Sequence, residues 1–376
     1  MHVTRLDLRN LRRFSDVNLR PGPGLNLISG DNGAGKTSIL EGLHLMAYGR
    51  SFRGRVRDGL IRVGQPALEV FVEWQERATA AVTTAGDRDM SSTPHRIRKA
   101  GLRHGGQDWA GRLDGAPVSH LGELCAALAV VSFDPGSHAL ITGGGEPRRR
   151  FLDWGLFHVE PEFLGLWRRY SRTLRQRNAL LKSRAGGAQL DAWDAELADA
   201  GEPLSAYREG YLGALQPHYA ELLAELAPGL GAGALGYQPG WRREELSLAD
   251  ALLVNRDRDL ASGHTSVGPH RADWTLTFTG VPGREALSRG QAKLTALSAL
   301  LAQAEHYAAH RGEWPVVALD DLASELDRSH QQRVLRRLLA CSAQVFITGT
   351  ESPPGLAALD ASYSMFHVEQ DTIVSV

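Results

Sequence analysis

The chain has 376 residues, enough for about two or three domains with sizeable cores, and its 43% hydrophobic and 23% charged residues are the balance of an ordinary globular protein. A net charge of −1 exerts no global pull on nucleic acid, so any binding of that kind has to rest on local patches. No apolar run reaches the length of about 20 residues that a bilayer span needs, and the start Met-His-Val-Thr-Arg lacks the apolar core of a signal peptide; a cytoplasmic protein without a membrane partner is expected.

Cys125 and Cys341 sit in apolar surroundings without C-x-x-C spacing and are expected as buried free thiols. Only four of the 42 basic residues are lysines, a bias from which no function is read.

From the N-terminus, residues 3–8 and 14–19 alternate with period two around Asn10-Leu-Arg-Arg13, which predicts a hairpin. Leu25-Asn-Leu-Ile-Ser29 is a short buried strand, and residues 38–46 have helical apolar spacing. Between them, Gly30-Asp-Asn-Gly-Ala-Gly-Lys36-Thr37 matches G-x-x-x-x-G-K-[ST] in the strand, loop, helix context that a phosphate-binding loop requires. Gly30, Asn32, Gly33, Ala34, Gly35 and Ser38 are expected to wrap the phosphates with backbone N–H groups, Lys36 to reach the β/γ oxygens, and the Thr37 hydroxyl to ligate Mg2+.

Arg50, Arg53, Arg55 and Arg57 follow around one phenylalanine, a loop that reads either as phosphate-contacting or as a solvated linker. Residues 68–74, 79–84 and 96–102 are strand-like and 113–117 contains a D-G turn, so an antiparallel β layer is expected here, followed by a helix at 120–127 and a buried strand at 128–133. From 147 to 261 the character changes to amphipathic helices, including 163–184 and a stretch from 190 to 226 expected to break near Gly201 and Pro217. On the first of these, Arg168 and Arg172 belong to a basic face interleaved with Trp167 and Tyr170, either a DNA-backbone contact or an ordinary helix surface. The polar run 265–273 holds His270 after a Gly-Pro turn, which fits equally a structural histidine and a loop positioned near a ligand.

Leu287-Ser288-Arg-Gly290-Gln291 precedes a long periodic helix with Ser288 at its N-cap. It resembles the ABC signature motif, with Arg289 where glycine is usual. In that family the motif presents its serine and helix start to the γ-phosphate held by a second subunit. Val316-Val-Ala-Leu-Asp320-Asp321 is a buried strand ending in paired carboxylates; Asp320 is expected to hold the metal's water shell, and Asp321 to orient and deprotonate the attacking water.

Taken together, Asn10 to Phe14, the phosphate loop, Pro147-Arg-Arg-Arg-Phe-Leu-Asp153, the Gly268-Pro-His-Arg271 core, the signature segment and Asp320-Asp-Leu-Ala-Ser-Glu-Leu-Asp327 resemble the RecF family of bacterial recombination mediators across essentially the whole chain. The resemblance implies an α/β fold, a P-loop ABC-type ATPase head with an antiparallel β layer and an inserted α-helical arm: 1–146 and 262–376 as the head, 147–261 as the arm. It implies ATP and Mg2+ as ligands, with Arg12, Arg13, Ser288, Gly290 and Gln291 added to the nucleotide site and Lys36, Ser288 and Asp321 in catalysis. It implies an ATP-dependent homodimer that binds double-stranded DNA at ss/ds junctions, hydrolyses ATP slowly and works with RecR and RecO to load RecA. A structural head in chromosome organisation is the alternative, but no heptad run of coiled-coil length is present.

Against the wider ABC pattern, Asp134 stands near the usual glutamine, Asp321 replaces a glutamate, and Thr348 or Thr350 takes the place of the switch histidine as γ-phosphate sensor.

Overall fold

A computed structural model of the chain describes residues 1–53, 59–77, 95–183, 187–353, 356, 362–369 and 371–376. It divides into two compact units, residues 1–137 with 299–376, and residues 138–298. The expected strand at 79–84 and both Arg55 and Arg57 lie outside the described residues.

The first unit opens with β1 (His2–Leu11) and β2 (Phe14–Leu19), which pair antiparallel through a tight connection in which Asn10 and Arg12 take positive φ. β3 (Leu25–Ser29) and α1 (Lys36–Tyr48) flank the phosphate loop as expected. β4 (Leu68–Arg77), β5 (His95–His104), β6 (Trp109–Leu113) and β7 (Ala116–Pro117) join β1 and β2 in an antiparallel sheet ordered β2-β1-β4-β5-β6-β7. Its inner face carries Leu6, Leu8, Val70, Val72, Trp74 and Leu102, packed into one core with Ile39, Leu43 and Met46 of α1. Alternation along β4, where Leu68, Val70, Val72 and Trp74 point inward, turns one face of this sheet to the core.

After α2 (Leu121–Ala127) comes β8 (Val130–Phe133). With β11 (Val316–Leu319), β12 (Val345–Gly349), β13 (Tyr363–Glu369) and β14 (Thr372–Ser375) it builds a second sheet ordered β14-β13-β3-β12-β11-β8. β13, β3, β12, β11 and β8 run parallel. Four of these, β3, β8, β11 and β12, are buried at every residue, which is why they read as continuous apolar runs rather than alternating ones. Their register pairs Ser29 with Gly349 and Leu319 with Phe133, so the phosphate loop, Asp320, Thr348 and Asp134 all leave the sheet along one edge, the carboxyl ends where such sheets hold ligands. α10 (Leu322–Glu325) and α11 (Arg328–Ala340) connect β11 to β12.

The second unit contains α3 (Ala139–Thr142), α4 (Gly145–Val159), α5 (Phe163–Ser183), α6 (Ala188–Leu226), β9 (Gly233–Gln238), α7 (Leu248–Val254), α8 (Arg256–Ser262), β10 (Asp273–Phe278) and the start of α9 (Arg289–Arg311). It is mainly helical, and two of the expected features change. The break in α6 is absent: the helix runs through Pro203 and Pro217 for 39 residues. Gly201 serves packing, since a Cβ there would lie 2.4 Å from Leu248 Cδ2. The unit also holds a strand pair, β9 with β10, because Gly233 lacks the Cβ that would strike Leu223 at 2.4 Å and so lets β9 lie against α6. Thus the compact units divide near 138 and 298 rather than at 147 and 261.

Buried guanidinium pairs hold this unit together. Arg148 binds Asp273 through two bonds of 2.6 and 2.9 Å, Arg208 binds Asp153 at 2.8 and 2.9 Å, and Arg177 reaches Asp194, Asp259 and Thr265. Arg148 and Arg208 each sit in a matched fork and Arg177 is shared between two carboxylates, so each buried charge has an opposite partner, the condition under which it is tolerated. Cys125 and Cys341 are free but partly exposed rather than buried.

Candidate nucleotide site

The phosphate loop owes its shape to glycines that carry positive φ, Gly30, Gly33 and Gly35. Gly35 is required sterically as well, because a Cβ would approach Phe14 Cζ to 2.8 Å. α1 starts directly after it with no side-chain cap, so its first N–H groups and positive dipole end face the cleft. The cleft holds about 250 Å3 and is lined by Asn32, Gly33, Gly35, Lys36, Thr37 and Ser38 from the loop, by Arg12 and Arg13, and by Arg53, Asp321 and Thr348. Gly30 and Ala34, also expected in the cradle, do not line it; Gly30 supports the loop from below, where a Cβ would meet Val368 O at 2.4 Å.

Lys36 Nζ donates to the carbonyls of Gly30 and Asp31 at 2.7 and 2.9 Å. Partial burial lowers its pKa against the pull of Asp321, Asp31 and Asp320. Asp320 is 4% exposed, beneath the loop. Burial pushes its carboxyl above the usual range, opposed by hydrogen bonds from the Thr348 and Thr37 hydroxyls and by the charge of Arg53. A buried carboxylate sharing a bond with Thr37 is the hard-oxygen donor set that suits Mg2+.

Thr348, one of the two residues expected as γ-phosphate sensor, lines the cleft. Its Oγ1 donates to Asp320 Oδ1 at 2.6 Å and accepts from the Asp321 N–H at 2.9 Å, so the hydroxyl joins both carboxylate residues. Thr350 is exposed and does not line the cleft. Asp321 lines the cleft with φ +52, and its Oδ2 accepts from Ser324 Oγ at 2.6 Å. Asp134 makes an Asx-type turn to Gly136 N at 2.7 Å, and burial, with Asp320 and Glu325 nearby, raises its pKa.

The two N-terminal arginines part company. Arg12 forms a two-bond pair at 2.9 and 2.8 Å with Glu41, which is fully buried in α1 and also accepts from Ser51. Arg53 N donates to Ser51 Oγ at 3.0 Å, so this chain of contacts ties the start of the basic loop to the phosphate-loop helix and brings Arg53, expected at DNA, into the nucleotide cleft. Arg13 instead bridges Asp371 and Gly33 O. Sequence reading missed Glu41, Ser51 and Asp371; a glutamate on the apolar stripe of α1 was the one visible signal.

In the second unit, Ser288 Oγ accepts from Gln291 N at 3.2 Å while Gln291 Oε1 accepts from Ser288 N at 2.9 Å, a reciprocal cap. Ser288, Arg289 and Gly290 are exposed at this helix start, and an added Cβ on Gly290 would meet nothing within 4 Å. The expected basic face on α5 is uneven: Arg172 is exposed, Arg168 is half-buried, and Arg169 is paired with Glu196. Arg50 is half-buried. His270 spends both ring nitrogens on Tyr170 OH at 2.8 Å and Thr265 O at 3.0 Å, so it braces α5 rather than meeting a ligand.

A five-strand parallel run beside an antiparallel layer, a phosphate loop after β3, a carboxylate pair at the end of β11 and a capped signature helix define an ATPase head of the ABC type. The family described as RecF/RecN/SMC N terminal domain matches residues 2–374. A DNA replication and repair protein RecF of Stenotrophomonas maltophilia (strain R551-3) is 66% identical over 376 residues, covering all of both chains, and its namesake in Thioalkalivibrio sulfidiphilus (strain HL-EbGR7) is 38% identical over 373 residues, 99% of each. The solved structure of the recombination mediator protein RecF with ATP, of the RecFOR pathway, superposes with a TM-score of 0.84 at 25% identity, covering 100% of this chain and 97% of that one. An Smc head bound to the C-winged helix domain of ScpA shares the fold, with a TM-score of 0.55 at 16% identity and coverage of 100% and 98%. The chain belongs to the RecF family.

Proposed function

We propose that this protein is an ATP-switched DNA clamp of recombinational repair. In this reading ATP binds the cleft of one copy, the Ser288 helix start of a second copy closes over the γ-phosphate, and the resulting homodimer binds double-stranded DNA at ss/ds junctions of gaps. With RecO and RecR it promotes RecA loading, and slow hydrolysis resets it. The observation that carries the reading is the full-length likeness to RecF proteins joined to an intact phosphate loop, carboxylate pair and capped Ser288.

The chemistry follows from the residues. Loop N–H groups and Lys36 bind and orient the phosphates. Thr37 and Asp320 would hold Mg2+, which when bound offsets charge on the β and γ oxygens. Asp321, fixed by Ser324 and by the Thr348 bond to its backbone, orients a water and accepts its proton. A carboxylate one methylene shorter than glutamate fits slow turnover. For DNA we propose Arg50, Arg55, Arg57, Arg168 and Arg172 as phosphate contacts, with Arg53 turned to the nucleotide.

Duplex binding and oligomeric state should be measured with ATP, ADP and no nucleotide on one preparation. ATP should produce both dimer and DNA complex, Lys36→Ala should abolish both, and Ser288→Arg should bind nucleotide as a monomer. DNA affinity that ignores ATP would sink the clamp, and ATP-induced dimers of Ser288→Arg would sink the composite site.

A further inference from the structure

We infer that Asp371 is a positioning residue for nucleotide binding: it holds the Arg13 guanidinium across the mouth of the phosphate loop. The inference rests on the cleft being the ATP site.

Arg13 lines the cleft, its Nε donates to Asp371 Oδ1 at 2.7 Å, and its Nη1 donates to Gly33 O in the middle of the loop. One side chain thus joins three segments distant in sequence: the β1–β2 connection, the phosphate loop and the turn from β13 to β14. Asp371 is not placed by this pair alone. β13 lies beside β3 with His367 opposite Ser29, Ser29 Oγ and His367 Nδ1 stand 3.2 Å apart, and Val368 O packs on Gly30. β14 then pairs back from Thr372 to Glu369. The carboxylate therefore sits on strands registered to the very strand that carries the loop, a fixed post to which a long, half-exposed side chain is tied.

The backbone adds a second observation. Asp371 has φ +71, a conformation that suits glycine best. The turn geometry alone therefore favours glycine, and what the aspartate adds is its carboxylate, spent on Arg13.

The sign of the effect separates positioning from simple charge. A carboxylate beside a polyanion site repels ATP, so if Asp371 acted only through its charge, removing it would tighten binding. If it positions Arg13, removing it frees the guanidinium and weakens binding. Asp371→Gly suits the backbone and leaves folding intact, and Asp371→Asn keeps a hydrogen-bond acceptor without the charge.

The experiment is ATP affinity by fluorescence titration and steady-state ATPase on the full chain. Asp371→Gly should raise Kd and KM about threefold to fivefold, the scale of an exposed pair, with kcat and thermal midpoint unchanged; Asp371→Asn should fall between it and the parent. The Arg13→Ala, Asp371→Gly double variant should bind no more weakly than Arg13→Ala alone. Unchanged or tighter ATP binding by Asp371→Gly, or additive losses in the double variant, would overturn the inference. If the parent bound no ATP, or Lys36→Ala bound it equally, the nucleotide reading itself would fail, a result distinct from either of these.

Discussion

Replacing Thr348 by valine keeps the volume, the β-branch and the strand preference of a residue that is 1% exposed, and deletes one hydroxyl. Two bonds go with it, the donation to Asp320 at 2.6 Å and the acceptance from Asp321 N at 2.9 Å. A bond to a buried carboxylate and one to a backbone N–H together contribute about 2–4 kcal/mol. Urea unfolding should report a loss of that size for Thr348→Val, and Thr348→Ser, which retains the hydroxyl, should stay within about 1 kcal/mol of the parent. Because the hydroxyl orients the expected metal carboxylate, Mg2+-dependent ATP turnover should also fall about 10- to 100-fold. A valine variant with parental stability and turnover would show that the hydroxyl positions nothing. Lost turnover with parental stability and Mg2+ dependence would point to the γ-phosphate sensor role.

Asp321→Asn should accumulate the ATP-bound dimer in sedimentation, and parental turnover in that variant would transfer the base role to Glu325. Gly155→Ala, which gains about 1 kcal/mol of helix preference, should still destabilise by about 1–3 kcal/mol in urea, because its Cβ would lie 1.9 Å from Tyr211 OH. His44 is buried against Tyr48 and Ser132, and burial, with the charge of Arg50, depresses its pKa from 6.5 to about 3. The unfolded chain then binds the extra proton first, so stability is complete above about pH 6.5 and declines as pH falls toward 3, by up to about 1.4 kcal/mol per pH unit. His44→Phe should flatten the slope between pH 6.5 and 5, and an unchanged slope would assign it to other groups such as His270.

The strand, loop and helix around Lys36 are legible in the sequence because the physics there is local. A phosphate cradle needs its glycines, lysine and threonine within eight residues, with a strand on one side and a helix on the other, so the motif and its context stand together in sequence. Asp320 is found for the same reason, as the first polar residue after four buried strand residues. Helix breaking is the local rule that fails: Pro217 and Gly201 carry real backbone penalties, yet α6 buries Leu197 and Leu204 around Gly201 and Leu212, Leu215, Tyr219 and Leu222 around Pro217, and tertiary packing outweighs those penalties.

The role of Thr348 was beyond such rules. Thr348 and Thr350 have the same side chain two residues apart, and nothing local distinguishes them. What separates them is where β12 stops: Thr348 is buried opposite Ile28 of β3, one residue before the strand's end, whereas Thr350 lies past it in solvent. Only the parallel register of β3, β12 and β11 sets Thr348 beside Asp320 and leaves Thr350 out. The same holds for Asp371, which comes within reach of Arg13 through the register of β13 on β3, and for Glu41, whose meaning depends on Arg12 arriving from the end of β1. In this fold the loop that lines most of the cleft is one contiguous stretch, and side chains that brace it, from Thr348 and Asp371, come from strands and turns hundreds of residues away. Substitutions at the loop should therefore abolish binding outright, while those at Thr348 or Asp371 should change its strength and rate by the graded factors given above.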